Sequence, residues 1–546
     1  ALAAPRARRA RRHRAPAVIA AAAFDDLRSP LLAAPVDAPR SPPAAAVPPP
    51  SELYAAALRA YAASRCEEAI APLQRVLEGE TADSPAHVER AELLLGECLL
   101  RLGYVHSAFA VLDGIARRGE DHSQLDQALA PLGRIGERVA DPASVVESIG
   151  RYREDRLVRL EGTAQHDALL HLMARARYAE ADFDAAARLF ARVRAGSRWY
   201  LPARYWEGVS HVRRRRVRPA AAAFRAVIDA SSSDRYGSSG ERERHRDLAW
   251  MALARVTYSA AAPGRAEADA ARQSQLLTSA LDAWQRVPFG SEHGLDAFFE
   301  ESWALYVLGE HARALGHVHG LLAPQLEDRP FPEAYVLRAT AYYEHCRYRA
   351  AETAIADFHR RYDSLLTSIA HREQAIDDPG AAYAFLDDVR SGRGPGGLEG
   401  LVLRSAFQDR ELARQMIQVR SIDAELARIG ASRAPLAGST LALRLEQELS
   451  ILRSLAVGRA GESVRARVRR IGDDLRARAN EVDTVQLEIE TARRRALQAG
   501  APLTSSPERP VAIVAVQGDQ MWPFDGEYWE DELPYYREAI TSICAR

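Results

Sequence analysis

Three histidines close together, His311, His317 and His319, are the residues that first invite a metal. Their spacing argues against one. His317 and His319 are two residues apart, so a helix sends them to different sides and they cannot share an ion. Other chemistry fares no better. The chain has no lysine, so all 73 of its basic residues are arginine. A Walker A loop, a Schiff-base or pyridoxal-phosphate enzyme and a protein kinase each need a lysine amine, so all three are excluded. No HExxH and no GxSxG is present, and carboxylate pairs are too common to mark a dyad. The Gly-rich string Gly392–Gly397 follows no strand and reads as a loop. Cys66, Cys98, Cys346 and Cys544 show neither CxxC nor zinc spacing. Buried apolar thiols are their ordinary reading, and a disulfide would require export. No catalytic residue, cofactor or metal is expected, and the chain reads as a non-enzyme.

Recognition chemistry is better represented. Near the C-terminus Trp522, Phe524, Tyr528, Trp529, Tyr535 and Tyr536 are interleaved with Asp525, Glu527, Glu530, Asp531 and Glu532, in a chain that is 7% aromatic overall. Disordered segments are starved of aromatics, because they cannot bury enough apolar surface to offset chain entropy. A docked tail is therefore expected, with Trp522 and Trp529 buried against an arginine-rich helical hairpin or in a partner. Glu530–Glu532 are placed to open a final helix, favourable at its positive end. Val511–Val516 reads as the one short strand.

The element that must carry these residues is a repeat. Ala, a bulky apolar residue four later and another three beyond recur as Ala69/Leu73/Val76, Ala108/Leu112/Ile115, Ala186/Phe190/Val193 and Ala220/Phe224/Val227. They return as Ala280/Trp284/Val287, Ala314/Val318/Leu321 and Ala351/Ile355/Phe358. On a helix these positions share one face, and the alanine admits a close neighbour. The alanines step by 39, 78, 34, 60, 34 and 37 residues. The doubled step predicts a degraded unit at Leu132-Gly133 with Val145, Ile149 and Tyr152. The 60-residue step predicts an insertion at Ser259–Gln275.

The pattern resembles the second helix of tetratricopeptide (TPR) repeats. Leu95-Gly96 with Leu99, and Tyr342, Tyr348, Ala351, Ile355 and Phe358, carry the likeness best. It covers about residues 51–362 and implies a right-handed α-solenoid of seven to eight antiparallel helix pairs. The family frame puts Met251, Arg255, Tyr258, Phe299, Trp303, Tyr306, Tyr343 and Glu344 on the concave face, as partner-binding residues. The tail resembles that of TPR proteins in the cell envelopes of gliding myxobacteria. A non-catalytic scaffold in such an assembly, in motility or secretion, is what these likenesses imply. A cytoplasmic assembly chaperone or adaptor is the alternative.

The remaining segments are read from composition and period. Residues 1–50 combine the basic block Arg6–Arg14 with a Pro/Ala-rich stretch, which suits a degenerate signal peptide or a disordered arm. The sequence does not open on Met, so a start upstream of Ala1 is expected. Residues 363–399 hold two short helical stretches, broken at Asp377–Gly380 and in the Gly-rich loop. Residues 400–499 read as a coiled-coil hairpin, its second helix seamed by Val457, Val464, Val468, Ile471, Leu475, Val482, Val485 and Ile489, with breaks at Gly461 and Arg478. A partner chain is the rival occupant of that seam. Residues 500–546 form the aromatic/acidic tail. Arginine, alanine, glycine and proline excess matches a very GC-rich bacterial genome. A net charge of −1 offers no pull toward nucleic acid, and Arg213–Arg216 with Arg218 read as a solvated turn. No run approaches 18 apolar residues, so no membrane span is expected. The periplasm or cell envelope is the expected compartment, the cytoplasm the alternative. The expected partners are proteins: a peptide or helix in the groove and a coiled-coil partner.

Overall fold

The computed structural model describes residues 49–546 except 164, 262–269, 328, 432–435, 437–438, 501–519 and 545–546. The basic N-terminal segment, save its last two residues, and the expected strand Val511–Val516 lie outside the described residues. Within them the fold is all-α, a solenoid-like array of helices with no strand.

Eight helix pairs follow one another. They are α1 (Glu52–Ala62) with α2 (Cys66–Leu77), α3 (Pro85–Arg101) with α4 (Val105–Arg118), α5 (Leu125–Arg138) with α6 (Ala143–Gly150), and α7 (His166–Ala179) with α8 (Phe183–Arg192). Then come α9 (Tyr200–Arg213) with α10 (Val217–Ala230), α11 (Ser239–Ala261) with α12 (Ala270–Trp284), α13 (Gly294–Val307) with α14 (His311–Leu321), and α15 (Pro332–Glu344) with α16 (Tyr348–Ala375). The pair hidden in the doubled step is α5–α6, with Leu132, Val145, Ile149 and Tyr152 buried. The insertion follows an α11 that runs on to Ala261; its central residues lie outside the described ones.

All seven motif alanines are 0% exposed, so none has room for a larger side chain without overpacking. Their register is fixed by a common turn. In six pairs three residues join the helices, and the middle one is left-handed: Ser64, Gly103, Ala181, Arg215, Gly309 and Cys346, with φ between 56° and 83°. Each lies five residues before its motif alanine. Four of the six are not glycine, so the fold holds L-residues there against a steric preference. Arg215 accounts for the arginine run: it is the tight turn itself, and Arg214 and Arg216 pair with Asp184 of α8 at 3.1 and 2.7 Å.

After the solenoid the expected breaks at Asp377–Gly380 and the Gly-rich loop both occur, but the first short stretch is fused into α16. Beyond it come α17 (Pro379–Arg390), α18 (Gly397–Phe407), α19 (Arg410–Gly430) and the 59-residue α20 (Thr440–Gln498). The first helix of the expected hairpin is two, because the Asp409 side chain accepts from Glu411 N and Leu412 N and starts a new one.

The hairpin is present and short. Gln415 meets Ser463 and Asp423 meets Arg453, so α19 and α20 are antiparallel. Only the first part of α20 has α19 beside it. The expected seam is buried further on, with Val464, Val468, Leu475, Val482 and Ile489 at 3% exposure or less, against α16 and α17 of the same chain. Leu412 and Met416 of α19 join that cluster at its start, and the other helices packed there belong to the same chain. The break at Gly461 has a cause: a Cβ there would overlap the Pro379 carbonyl at the start of α17. At about 1.5 Å per residue α20 is about 88 Å long. It reaches from Gln74 of the first pair, 2.6 Å from the Thr440 hydroxyl, to Glu352 of the last, paired to Arg493. The hairpin also completes the solenoid locally. Helix α4 has no side-chain cap of its own, and buried Glu425 of α19 accepts from His106 N and Ser107 N at 3.1 and 2.7 Å. A carboxylate at that positive helix end is the favourable arrangement.

Candidate interaction surfaces

The first-helix residues of α11, α13 and α15 fall into three kinds. Met251, expected to face a partner, is 3% exposed and packs with Trp284 in the core. It is hydrophobic on a helix enclosed by neighbours on both sides, so burial wins. Arg255 is exposed and grips Glu300 through two nitrogens at 2.9 and 2.6 Å, with the Trp284 indole N–H on the other carboxylate oxygen at 3.0 Å. Tyr258 packs edge-on to Trp284, Phe299 stacks on Phe331, and Trp303 meets Tyr306 edge-on, all half-buried. Burial first, then exposed Glu344 beside it, pushes the Tyr306 hydroxyl far above its usual range. Tyr343 bonds Glu488, so α20 covers part of this face, and its hydroxyl is pushed up to about 12 by burial and that carboxylate. At about 100° per residue, Phe299, Trp303 and Tyr306 share one side of α13. Gly294, Ala297, Phe298 and Glu301 share the opposite side.

The tail lies back on its own solenoid, and its seat is α14. Gly316 and Gly320 are one turn apart there, and a Cβ on either would overlap the tail backbone, at the Tyr536 and Leu533 carbonyls respectively. The contact then continues through backbone. Glu538 N donates to the Ala312 carbonyl (2.9 Å), Gln325 Nε2 to the Tyr528 carbonyl (2.7 Å), and Ile543 N to the His345 carbonyl (3.1 Å). Arg347 donates to the carbonyl and hydroxyl oxygens of Thr541, both at 3.0 Å. A disulfide between Cys346 and Cys544, Cα atoms 5.1 Å apart, ends the run. The left-handed turn of the last pair is thus where the tail is tied. Cys66 and Cys98 stay free and buried beside one another.

The tail therefore docks, though not as its aromatics suggest. Leu533 is its buried anchor at 0% exposure, while Trp522 is 80% exposed, Tyr535 78% and Trp529 57%. The backbone contacts at Gly316 and Gly320 and the disulfide fix the register, and that register turns both tryptophans outward. Tyr528 and Tyr536 are half-buried around His319, with centroids 5.0 Å away, and exposed Phe524 joins them at 4.6 Å. The expected final helix is a single 3-10 turn, Leu533–Tyr535. The three histidines part as their spacing requires. His319 faces the tail, His317 packs on Phe298 at 4.1 Å, and His311 meets His345 at 4.7 Å; no metal-holding group occurs among the described residues.

Between the tail and the α12–α14 turns lies a cavity of about 1320 Å³. Its floor includes Phe289, Phe298, Glu301 and His317, and Trp522, Asp525, Glu527, Trp529, Glu532 and Arg537 of the tail are among the residues of its outer wall. Glu301 and His317 are 6% and 5% exposed, and Gln285 donates to Glu301 at 2.6 Å. Burial raises the Glu301 carboxyl, and burial, then Arg313, push the His317 ring down to about 3.

What the sequence reading missed is the seat rather than the occupant. Leu533, Gly316, Gly320 and the Cys346–Cys544 pair carry the docking. The only sequence signal for them is the Gly-x3-Gly spacing on a predicted helix and a cysteine at each end of the contact. No family profile matches this sequence, and no characterised protein is found to be related to it. No described helix is long and apolar enough to cross a membrane.

Proposed function

We propose that this chain is a non-catalytic scaffold for protein–protein assembly in a bacterial cell envelope, built on a TPR-like solenoid. The observation that carries the reading is the mounting of the tail. Trp522, Trp529 and Tyr535 stand in solvent on a backbone seated on α14 and tied by a disulfide. Tryptophan and tyrosine dominate binding hot spots, and a rigid mount lowers the ordering cost of engaging them. Trp303 and Tyr306 add a second candidate contact on α13, where a partner peptide or helix would lie in the groove. A disulfide supports an oxidising compartment such as the periplasm and counts against a cytoplasmic chaperone.

Two measurements test this. Trp303→Ala with Tyr306→Ala should weaken capture of a native partner by about 2 kcal/mol or more while helicity is kept. Undiminished recovery would mean the groove is idle. Rapid alkylation of intact cells, followed by mapping, should find Cys346 and Cys544 joined; free thiols at both positions would remove the envelope assignment.

A further inference from the structure

The cavity under the tail has a consistent chemistry. It exceeds the roughly 300–1000 Å³ of small-molecule pockets, so its volume suits a peptide segment. Its buried polar groups are acceptors. The His317 ring bonds the Phe298 carbonyl and so must donate there, while its Nδ1, in a residue 5% exposed, has no hydrogen-bond partner. In a neutral imidazole that nitrogen is an acceptor. The Glu301 carboxylate lies on the same floor, with Arg313 3.9 Å away. The tail side of the lining carries three carboxylates (Asp525, Glu527, Glu532) against one guanidinium, Arg537. Its exposed Trp522 and Trp529 offer ring faces of the kind on which guanidinium and ammonium groups settle.

We infer that this cavity is a binding site for an arginine- or lysine-rich peptide segment of a partner, one cationic side chain reaching Glu301 and His317 while its neighbours meet the tail acids and tryptophans. The inference gives a partner chemistry to the scaffold reading and rests on it. It uses the side of α13 opposite Trp303 and Tyr306, so the two fail separately: loss of this site leaves the groove test untouched, and the reverse.

The test is fluorescence anisotropy with the full, oxidised chain and a labelled hexa-arginine peptide, with hexa-glutamate as the opposite-charge probe. Saturable one-to-one binding of the arginine peptide is expected, with none for the glutamate peptide. Glu527→Gln with Glu532→Gln, both exposed, should weaken binding at least tenfold. Glu462→Gln with Asp473→Asn, exposed on α20, should leave it within twofold. Glu301→Gln should also cost at least tenfold at an unchanged melting temperature. Absent saturation, equal binding of hexa-glutamate, or equal loss from the α20 pair overturns the site. If Glu301→Gln binds as the parent does while the Glu527/Glu532 pair loses affinity, the contact is on the outer rim, and the cavity assignment is wrong.

Discussion

Helix α20 and the tail both return to the solenoid from its C-terminal side, and they do so by opposite means. Helix α20 inserts a regular apolar seam, Val464 to Ile489, into grooves of α16 and α17 and leaves its charges outside. The tail inserts one leucine, lays its backbone on two glycines, is closed by a disulfide, and leaves its largest aromatics in water. Apolar burial is what fixes a structural strut, since a fully buried aliphatic side chain contributes about 1.5–3 kcal/mol. Keeping Trp522 and Trp529 out of the contact forgoes that stabilisation. The difference separates a part that holds the molecule together from a part held up for recognition.

The comparison breaks most easily at the strut. Leu475→Ala should cost about 2–5 kcal/mol in global unfolding by urea, and a loss below 1 kcal/mol would mean the α20 seam is not part of the core. Next in size is Glu425→Ala, which strips the start of α4 of its carboxylate and should cost about 1.5–3 kcal/mol by the same measurement. Unchanged stability would show that water replaces that cap.

Acid sharpens the comparison. His171, buried in α7, and His317, beneath the tail, are both pushed by burial to about 3 from 6.5. The unfolded chain therefore takes up protons that the folded chain refuses. Stability is full above about pH 6.5 and falls as pH drops toward 3, by up to about 1.4 kcal/mol per pH unit for each ring. His317→Gln should flatten that slope by one ring's share in pH-dependent melts, and an unaltered slope would place water around the His317 ring. The smallest effect on global stability belongs to the tail. Cys544→Ser should shift the main transition by less than about 1 kcal/mol, since the tail opens as a local unit, yet speed proteolysis within 520–543 about tenfold or more. A large loss of global stability would make the tail a second strut.

The repeat was legible because it is local. Ala, bulky and bulky at i, i+4 and i+7 need only helical geometry to share a face, and all seven sets are buried as that geometry requires. The α20 seam was legible for the same reason, and so were the separate directions of His317 and His319. Its partner was not: a period of 3 and 4 states that a face is apolar, and any apolar groove satisfies it. The split at Asp409 was hidden because Asp is an N-cap only when the chain before it has already turned. Helix starts and turns, by contrast, follow from nearby residues, as at Ser51, Ser84 and Asp182.

The sequence alone determined that this chain is a helical repeat without lysine chemistry and which faces its helices bury. Tertiary structure decided the rest: that α20 braces the first pair to the last, that Glu425 caps a helix more than 300 residues away, that Cys346 finds Cys544, and that Leu533 goes in while Trp522 and Trp529 stay out. Those outcomes turn on where separate helices bring glycines, thiols and carbonyls within contact distance. Amphipathic period sets the face of each helix, whereas these contacts depend on how far the whole solenoid carries one helix from another.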